Sequence, residues 1–326
     1  MNPPAAADTV EIQVLVDNAT DGLSSNPANV ETEFAFATRR GMRASSGRCL
    51  CCAVHGLSCL ITVRRGDVSH AVLFDSGPED YAFERNTARL GAHLGEVESI
   101  VLSHGHWDHS GAMFLALGAI RARNGARKVP YYCHPGMFRT RGVKAPNGDI
   151  RVMDDVPGID DLTAQGAEVV CTTEPRHLLD DLFFVSGEVP RVTSFERGYP
   201  GQVRRTADGK GWEPDELLMD ERWLAVNVRG KGLVIFSACS HAGIVNVLKH
   251  ARGLFPDVPL YAVMGGLHLS GANEAIIPQT VAAMKDFGLT TIAAGHCTGW
   301  RAMSALAREF GDKVLTPTAV GKRFTF

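Results

Sequence analysis

Ile100-Val101-Leu102-Ser103-His104-Gly105-His106-Trp107-Asp108-His109-Ser110-Gly111-Ala112-Met113-Phe114 places four metal-binding side chains within six residues, between two apolar runs. The first run reads as a strand, the polar centre as a ligand loop, and the second run as the start of a helix. A strand end suits ligands because the sheet holds the backbone while the side chains project freely. Imidazole nitrogens suit zinc, iron, manganese or nickel, and a carboxylate suits the harder of these. His104 and His106, at alternate positions, can point to one ion. Asp108 and His109 can turn to a second ion a few ångströms away, the arrangement that activates a water between two metals.

Outward from this motif, Ile12, Val14 and Val16 alternate with Gln13, Leu15 and Asp17 as in a strand. Leu57, Cys59, Ile61 and Val63 alternate again and meet His70-Ala71-Val72-Leu73-Phe74 across Arg65-Gly66-Asp67, which predicts a hairpin. Asp75-Ser76-Gly77 ends that strand, and a helix is predicted from Tyr81 to Leu94. A second hairpin joins Trp223–Val228 to Leu233–Phe236 and delivers Cys239 and His241. Strands then end at His268 and His296, and Met303, Leu306, Ala307 and Phe310 mark a last helix. Val314-Leu315 and the tail from Gly321 read as edge strands. Residues 19–48 read as a lid-like loop, and residues 135–225 as an irregular insertion over the site within a single domain. Strands first, then strand and helix alternating twice, predict an α/β fold of two packed sheets with helices outside.

The 326 residues are 45% hydrophobic, enough for a sizeable core, and their net charge of −3 offers no basic field for nucleic acid. Met1-Asn2-Pro3-Pro4-Ala5 lacks the pattern of a signal peptide, and no run is long enough to span a membrane, so a cytoplasmic location is expected. Eight cysteines in such a chain do not read as a disulfide scaffold. Cys49, Cys51, Cys52 and Cys59 cluster without C-x-x-C zinc spacing. They are buried thiols beside a strand, or they line a pocket as a redox-sensitive patch.

His-x-His-x-Asp-His resembles the signature of the metallo-β-lactamase-fold hydrolases. Asp75-Ser76-Gly77, Cys239-Ser240-His241-Ala242-Gly243-Ile244-Val245-Asn246 and Gly295-His296-Cys297-Thr298-Gly299 narrow the resemblance. With Val16-Asp17-Asn18, His55–Ser58, Gly187–Arg191 and Gly265–Leu269, they resemble the branch named after archaeal dihydropteroate-synthase-like and ribofuranosylaminobenzene-phosphate-synthase-like proteins. The resemblance implies a four-layer αββα sandwich. It implies two divalent ions, zinc first, with iron or manganese as alternatives, one held by His104 and His106 and the other by Asp108, His109 and His296. No Thr-Pro-Gly-His-Thr-like segment supplies the earlier histidine usual in the superfamily, and His241, which follows an apolar strand and opens a helix, is the choice for the first ion's third ligand.

The chain departs from the superfamily pattern where a bridging aspartate is usual, for Cys239 falls near that place. Cys239 bridges as a thiolate, or water alone bridges, or the second ion is held loosely. Glu188 and His177 are fallback ligands. Asp75 reads as a carboxylate orienting a ligand histidine, or as a turn residue. His268 and His55 are candidates for proton transfer or substrate contact. Arg191, with Arg197, Arg204 and Arg205, is a candidate for holding phosphate or carboxylate.

These residues predict metal-assisted hydrolysis of a small phosphoester, lactone or related ester, with Asp108 orienting the nucleophile. The branch implies a rival, pterin-dependent transfer, and the cysteine cluster leaves a metal-dependent sensor open. No Gly-x-Ser-x-Gly string supports a serine hydrolase, and no flavodoxin-like region supports electron transfer.

Overall fold

Alternation within the strands sorts their side chains into three separate apolar layers. Val10, Ile12, Val14, Ile61, Val63, Val72 and Phe74 face Val226, Val234, Phe236 and Met264 between two sheets. Leu15, Leu60, Leu73 and Ile100, from the other face of the first sheet, meet Phe83, Leu90, Leu117 and Ile120 of the helices outside it. Ile235, Val263 and Ile292 of the second sheet meet Leu248, Met284 and Leu306 of the opposite helices. Three apolar layers separate four layers of structure, so residues 1–326, described by a computed structural model, form an αββα sandwich.

The first sheet has eight strands, in the spatial order Ala167–Cys171, Val129–Cys133, Val97–Val101, Val68–Phe74, Ser58–Arg65, Thr9–Val16, Arg323–Thr325 and Val30–Glu31. The second runs Arg176–Leu178, Phe183–Val185, Leu224–Val228, Gly232–Ser237, Leu260–Gly266 and Thr291–Gly295, and Ala6–Ala7 pairs with Leu224–Val228. Both predicted hairpins form as antiparallel pairs. The parallel strands Val68–Phe74, Val97–Val101, Gly232–Ser237, Leu260–Gly266 and Thr291–Gly295 carry the site residues just beyond their C-terminal ends.

The structure corrects several expectations. The helix expected to reach Leu94 spans Asp80–Leu90. Gly91, at φ 56° and ψ 44°, ends it with a left-handed cap that takes its N–H back to the carbonyls of Thr87 and Ala88. The last helix buries Ala302 and Leu306 while Ala307 is exposed. Arg323–Thr325 lies between two strands instead of at an edge, and Leu315 makes only an isolated bridge to Ile292. Residues 19–48 do not form a lid over the site. They hold the strand Val30–Glu31 and the helix Glu33–Arg39, whose Phe36 packs into the outer core.

Residues 135–225 are more regular than expected. Besides edge strands for both main sheets, they build a third, four-stranded antiparallel sheet from Trp212–Pro214, Gln202–Arg205, Arg141–Lys144 and Ile150–Val152. The glycine- and charge-rich strings at 145–149 and 206–211 are its hairpin turns. No helix of the molecule is long and apolar enough to cross a membrane.

Candidate metal centre

His104, His106, Asp108, His109, His241 and His296 converge on one edge of the sandwich, although they come from three separate strand ends. All six are buried, with at most 7% of each residue exposed. His104, His106 and His241 form one group whose donor atoms lie within 4.8 Å of one another. Asp108 Oδ2 lies 3.4 Å from His296 Nε2 and 3.6 Å from His109 Nε2. Cys239 sits between these groups, its Sγ 3.2 Å from both His109 Nε2 and His296 Nε2.

Four of the five rings, those of His104, His106, His109 and His296, are anchored from behind. His109 Nδ1–H donates to Asp75 Oδ2 at 2.7 Å. Asp75 in turn accepts from the Ser103 N–H and hydroxyl, both at 2.8 Å. His104 Nδ1–H donates to the Ser103 hydroxyl at 2.9 Å, His106 Nε2–H to Gln202 Oε1 at 2.8 Å, and His296 Nδ1–H to Asn18 Oδ1 at 2.9 Å. This network assigns the tautomers and turns the other nitrogen of every ring inward as a lone pair. His241 has both ring nitrogens buried without a protein partner.

The donor set fits divalent cations. His104 Nε2 and His106 Nδ1 face each other at 3.0 Å, each carrying a lone pair once Ser103 and Gln202 have taken the ring protons. Without a cation the two repel, and an unpartnered buried ring nitrogen costs about 1–3 kcal/mol. Burial pushes the pKa of His104 and His241 well down and that of His106 to about 3, the last helped by Arg141, so these rings are neutral at neutral pH. Burial opposes the charge on Asp108, but His109 and His296 hold its pKa well below the ordinary aspartate value.

Strain concentrates around the same edge. Asp75, Ser240, His268 and His296 are non-glycine residues with φ between 42° and 59°, each within a few positions of a strand end. Such positions cost on the order of 1–3 kcal/mol and persist where the surroundings fix them. The backbone N–H groups of His241 and Ala242 donate to Glu221, whose pKa burial raises to about 7. Arg141 clamps the Gly105 loop by donating to its carbonyl and by pairing with Asp220, which accepts the Gly105 N–H.

A cavity of about 680 Å³ opens over the cluster. His55 and His268 line it; His55 Nε2 is 3.4 Å from Asp108, and Asn18 also contacts the His55 ring. The structure does not bring Glu188, His177 or Arg191 to the cavity. Glu188 pairs with His134 at 3.2 Å, and His177 packs against Phe184 on an edge strand. Arg191 donates to the carbonyls of Val189, Leu217 and Leu218, which need a donor inside their turn.

Of the other arginines, Arg197 bonds to Ser194, Arg204 pairs with Glu213, and Arg205 lies over Trp212. Cys51 and Cys59 belong to the apolar layers, while Cys239 and Cys297 are the thiols that line the cavity. Sequence reasoning missed Ser103, Gln202, Asn18, Asp220, Tyr199 and Cys297. Of these, Ser103, Cys297 and Asn18 stand in the strings quoted above.

Asp75 offers a direct test. In Asp75→Asn an amide N–H₂ must face either the His109 N–H or the Ser103 donors, and the His109 ring loses its anchor. Metal affinity, read by chelator competition, is expected to fall about 10–100-fold. Unchanged affinity in a folded variant would show that this carboxylate does not orient the ring.

Residues 56–173 match the model of the metallo-beta-lactamase superfamily. The chain is 30% identical over 260 residues to the 7,8-dihydropterin-6-methyl-4-(beta-D-ribofuranosyl)-aminobenzene-5'-phosphate synthase of Methanocaldococcus jannaschii, covering 79% of this chain and 85% of the relative. An uncharacterized protein of the same archaeon is 28% identical over 258 residues, covering 78% and 88%. In three dimensions the molecule resembles Tm1679, described as a metal-dependent hydrolase of the beta-lactamase superfamily, with a TM-score of 0.71, 20% identity, and coverage of 97% of this chain and 98% of that one. It also resembles unliganded yeast PDE1, at a TM-score of 0.54, 11% identity, and coverage of 99% and 100%. The chain belongs to the metallo-β-lactamase superfamily, an enzyme superfamily whose fold binds divalent metal. Within it, the chain fits the branch of the archaeal synthase.

Proposed function

We propose that the protein is a binuclear metal-dependent hydrolase of a small phosphoester, lactone or related ester. The observation that carries this reading is the pair of opposed lone pairs on His104 and His106, 3.0 Å apart, inside a buried set of further imidazole, carboxylate and thiol donors. His104, His106 and His241 would hold one ion, and Asp108, His109 and His296 the other, with Cys239 available as a further donor. Bound there, two divalent ions, zinc first and iron or manganese next, would supply a more acidic water and polarisation of the scissile group.

The side chains do the rest. Asp108 stays a carboxylate and accepts a hydrogen bond from the attacking water, which orients it. His55 carries the proton released by that water to solvent, since its ring is within 3.4 Å of Asp108 and 57% of its side chain is exposed. His268, whose Nδ1 is buried without a protein partner, protonates the leaving group. The cavity volume suits a small molecule.

Similarity to the archaeal synthase favours a second reading, transfer chemistry on a dihydropterin, at the same residues. Elemental analysis beside assays on bis(4-nitrophenyl) phosphate, a phosphotriester and a lactone separates the two. Two metals per chain and turnover of a panel member support hydrolysis. Inactivity at full occupancy, with a dihydropterin bound and pyrophosphate released, supports transfer.

A further inference from the structure

Part of the cavity wall comes from the third sheet. The strand Ile150–Val152 and the two residues after it bring Arg151, Met153 and Asp154 to the cavity. The other arginines of this sheet region are engaged. Arg141 is paired with Asp215 and Asp220, Arg139 and Arg204 with Glu213, and Arg205 lies 4.3 Å from the centre of the Trp212 ring. Arg151 stands outside these pairs, is exposed, and is the arginine that lines the cavity. A guanidinium at a cavity wall offers a planar fork of donors matched to a carboxylate or phosphate.

Two aromatic rings accompany it. Tyr199 lies parallel to the His241 ring, at 8° with centroids 5.7 Å apart, and tilts across His268 at 4.8 Å. Its ring is thus set by the residues of the metal cluster. Trp107, between His106 and Asp108 in the chain, lines the same space. Half-buried Tyr and Trp rings bind planar groups through their faces with little loss of side-chain entropy.

Resting on the hydrolase reading, we propose that this wall is a subsite for the non-reacting end of the substrate, a planar ring bearing an anionic oxyacid group. Arg151 holds the anion, and Tyr199 and Trp107 hold the ring, while the reacting ester lies on the histidine cluster. Asp154 on the same wall works against a second anionic group there. Arg151 is a specificity-determining residue, and the site discriminates against neutral and purely aliphatic esters.

The test is calorimetric titration of the purified, metal-containing protein with three non-hydrolysable probes: methylphosphonate, phenylphosphonate and 4-carboxyphenylphosphonate. The remote carboxylate is expected to tighten binding about fivefold over phenylphosphonate, the range of a partly solvated charge pair. The ring is expected to tighten it over methylphosphonate. Arg151→Gln removes the carboxylate gain and leaves phenylphosphonate affinity in place, Arg151→Lys keeps part of the gain, and Tyr199→Leu shrinks the ring gain alone. A carboxylate that adds nothing in the wild type, or a gain that survives in Arg151→Gln, overturns the subsite while phosphonate binding upholds the cluster. Failure of all three probes to bind overturns the hydrolase reading and the subsite with it.

Discussion

Asp108→Asn is expected to lower kcat/KM by ~10³-fold or more, about 4 kcal/mol of transition-state stabilisation, and, on the binuclear reading proposed above, to reduce bound metal from two ions per chain to one or fewer. The change keeps the size of the side chain and removes its charge. That charge faces three imidazoles, with His55 and His296 Nε2 at 3.4 Å and His109 Nε2 at 3.6 Å. The amide that replaces the carboxylate is a weaker metal ligand and a weaker acceptor for the attacking water, so binding and chemistry fall together. Elemental analysis and steady-state kinetics on the most active panel ester read the two effects separately. A folded variant with two ions and near-normal kcat/KM would remove Asp108 from both roles.

Arg141→Met is expected to destabilise the fold by about 3–5 kcal/mol, although Arg141 does not line the cavity. Only 2% of its side chain is exposed. It donates to Asp215 at 2.8 Å, pairs with Asp220 at 2.5 Å, and holds the Gly105 carbonyl at 2.8 Å. Methionine replaces the volume but leaves buried Asp220 without its paired cation and Asp215 with only Arg204, at 3.5 Å. Equilibrium denaturation should show a lower midpoint with an unchanged slope. Adding Asp220→Asn should recover part of the loss, because the two sites share one network.

The acid limb follows the same pair. Burial raises the Asp220 pKa, but Arg141 outweighs it and the net shift is downward. A carboxylate with a lowered folded-state pKa contributes stability that is present above its unfolded value and is lost as pH falls through the folded one. The wild type therefore keeps this contribution at neutral pH and loses it in acid, below the ordinary aspartate range. In Arg141→Met that limb should begin at higher pH. A loss of under about 1 kcal/mol with no change in the acid limb would show that the clamp is dispensable.

Arg141 also marks where reading the chain residue by residue stops. The run from Ile100 to Phe114, the two hairpins and the strand ends before His241, His268 and His296 were legible because each is a local pattern. Period-two alternation exposes a strand, and a polar break after it exposes the ligand-bearing end. The histidines that converge were legible because each lies directly beyond such a strand. Of the anchors behind them only Asp75, itself at a strand end, was legible. Gln202 is 96 positions from His106, and Asn18 is 278 from His296. A glutamine or asparagine in a loop carries no sign of which distant ring it will orient.

The third sheet was hidden for a related reason. Its strands are three or four residues long, too short to show a period, and they are joined by turns rich in glycine and charge. Arg191 and Arg151 show the consequence. Both are arginines in an irregular-looking region, yet one closes a turn by binding three carbonyls and the other reaches the cavity wall.

The sequence by itself determined the αββα layering and the donor chemistry, because alternation and ligand type are properties of neighbouring residues. Only the tertiary structure decided which ring nitrogens turn inward, where Cys239 sits, and which arginine faces the cavity. Those depend on contacts between segments far apart in the chain, which packing of the three apolar layers brings together.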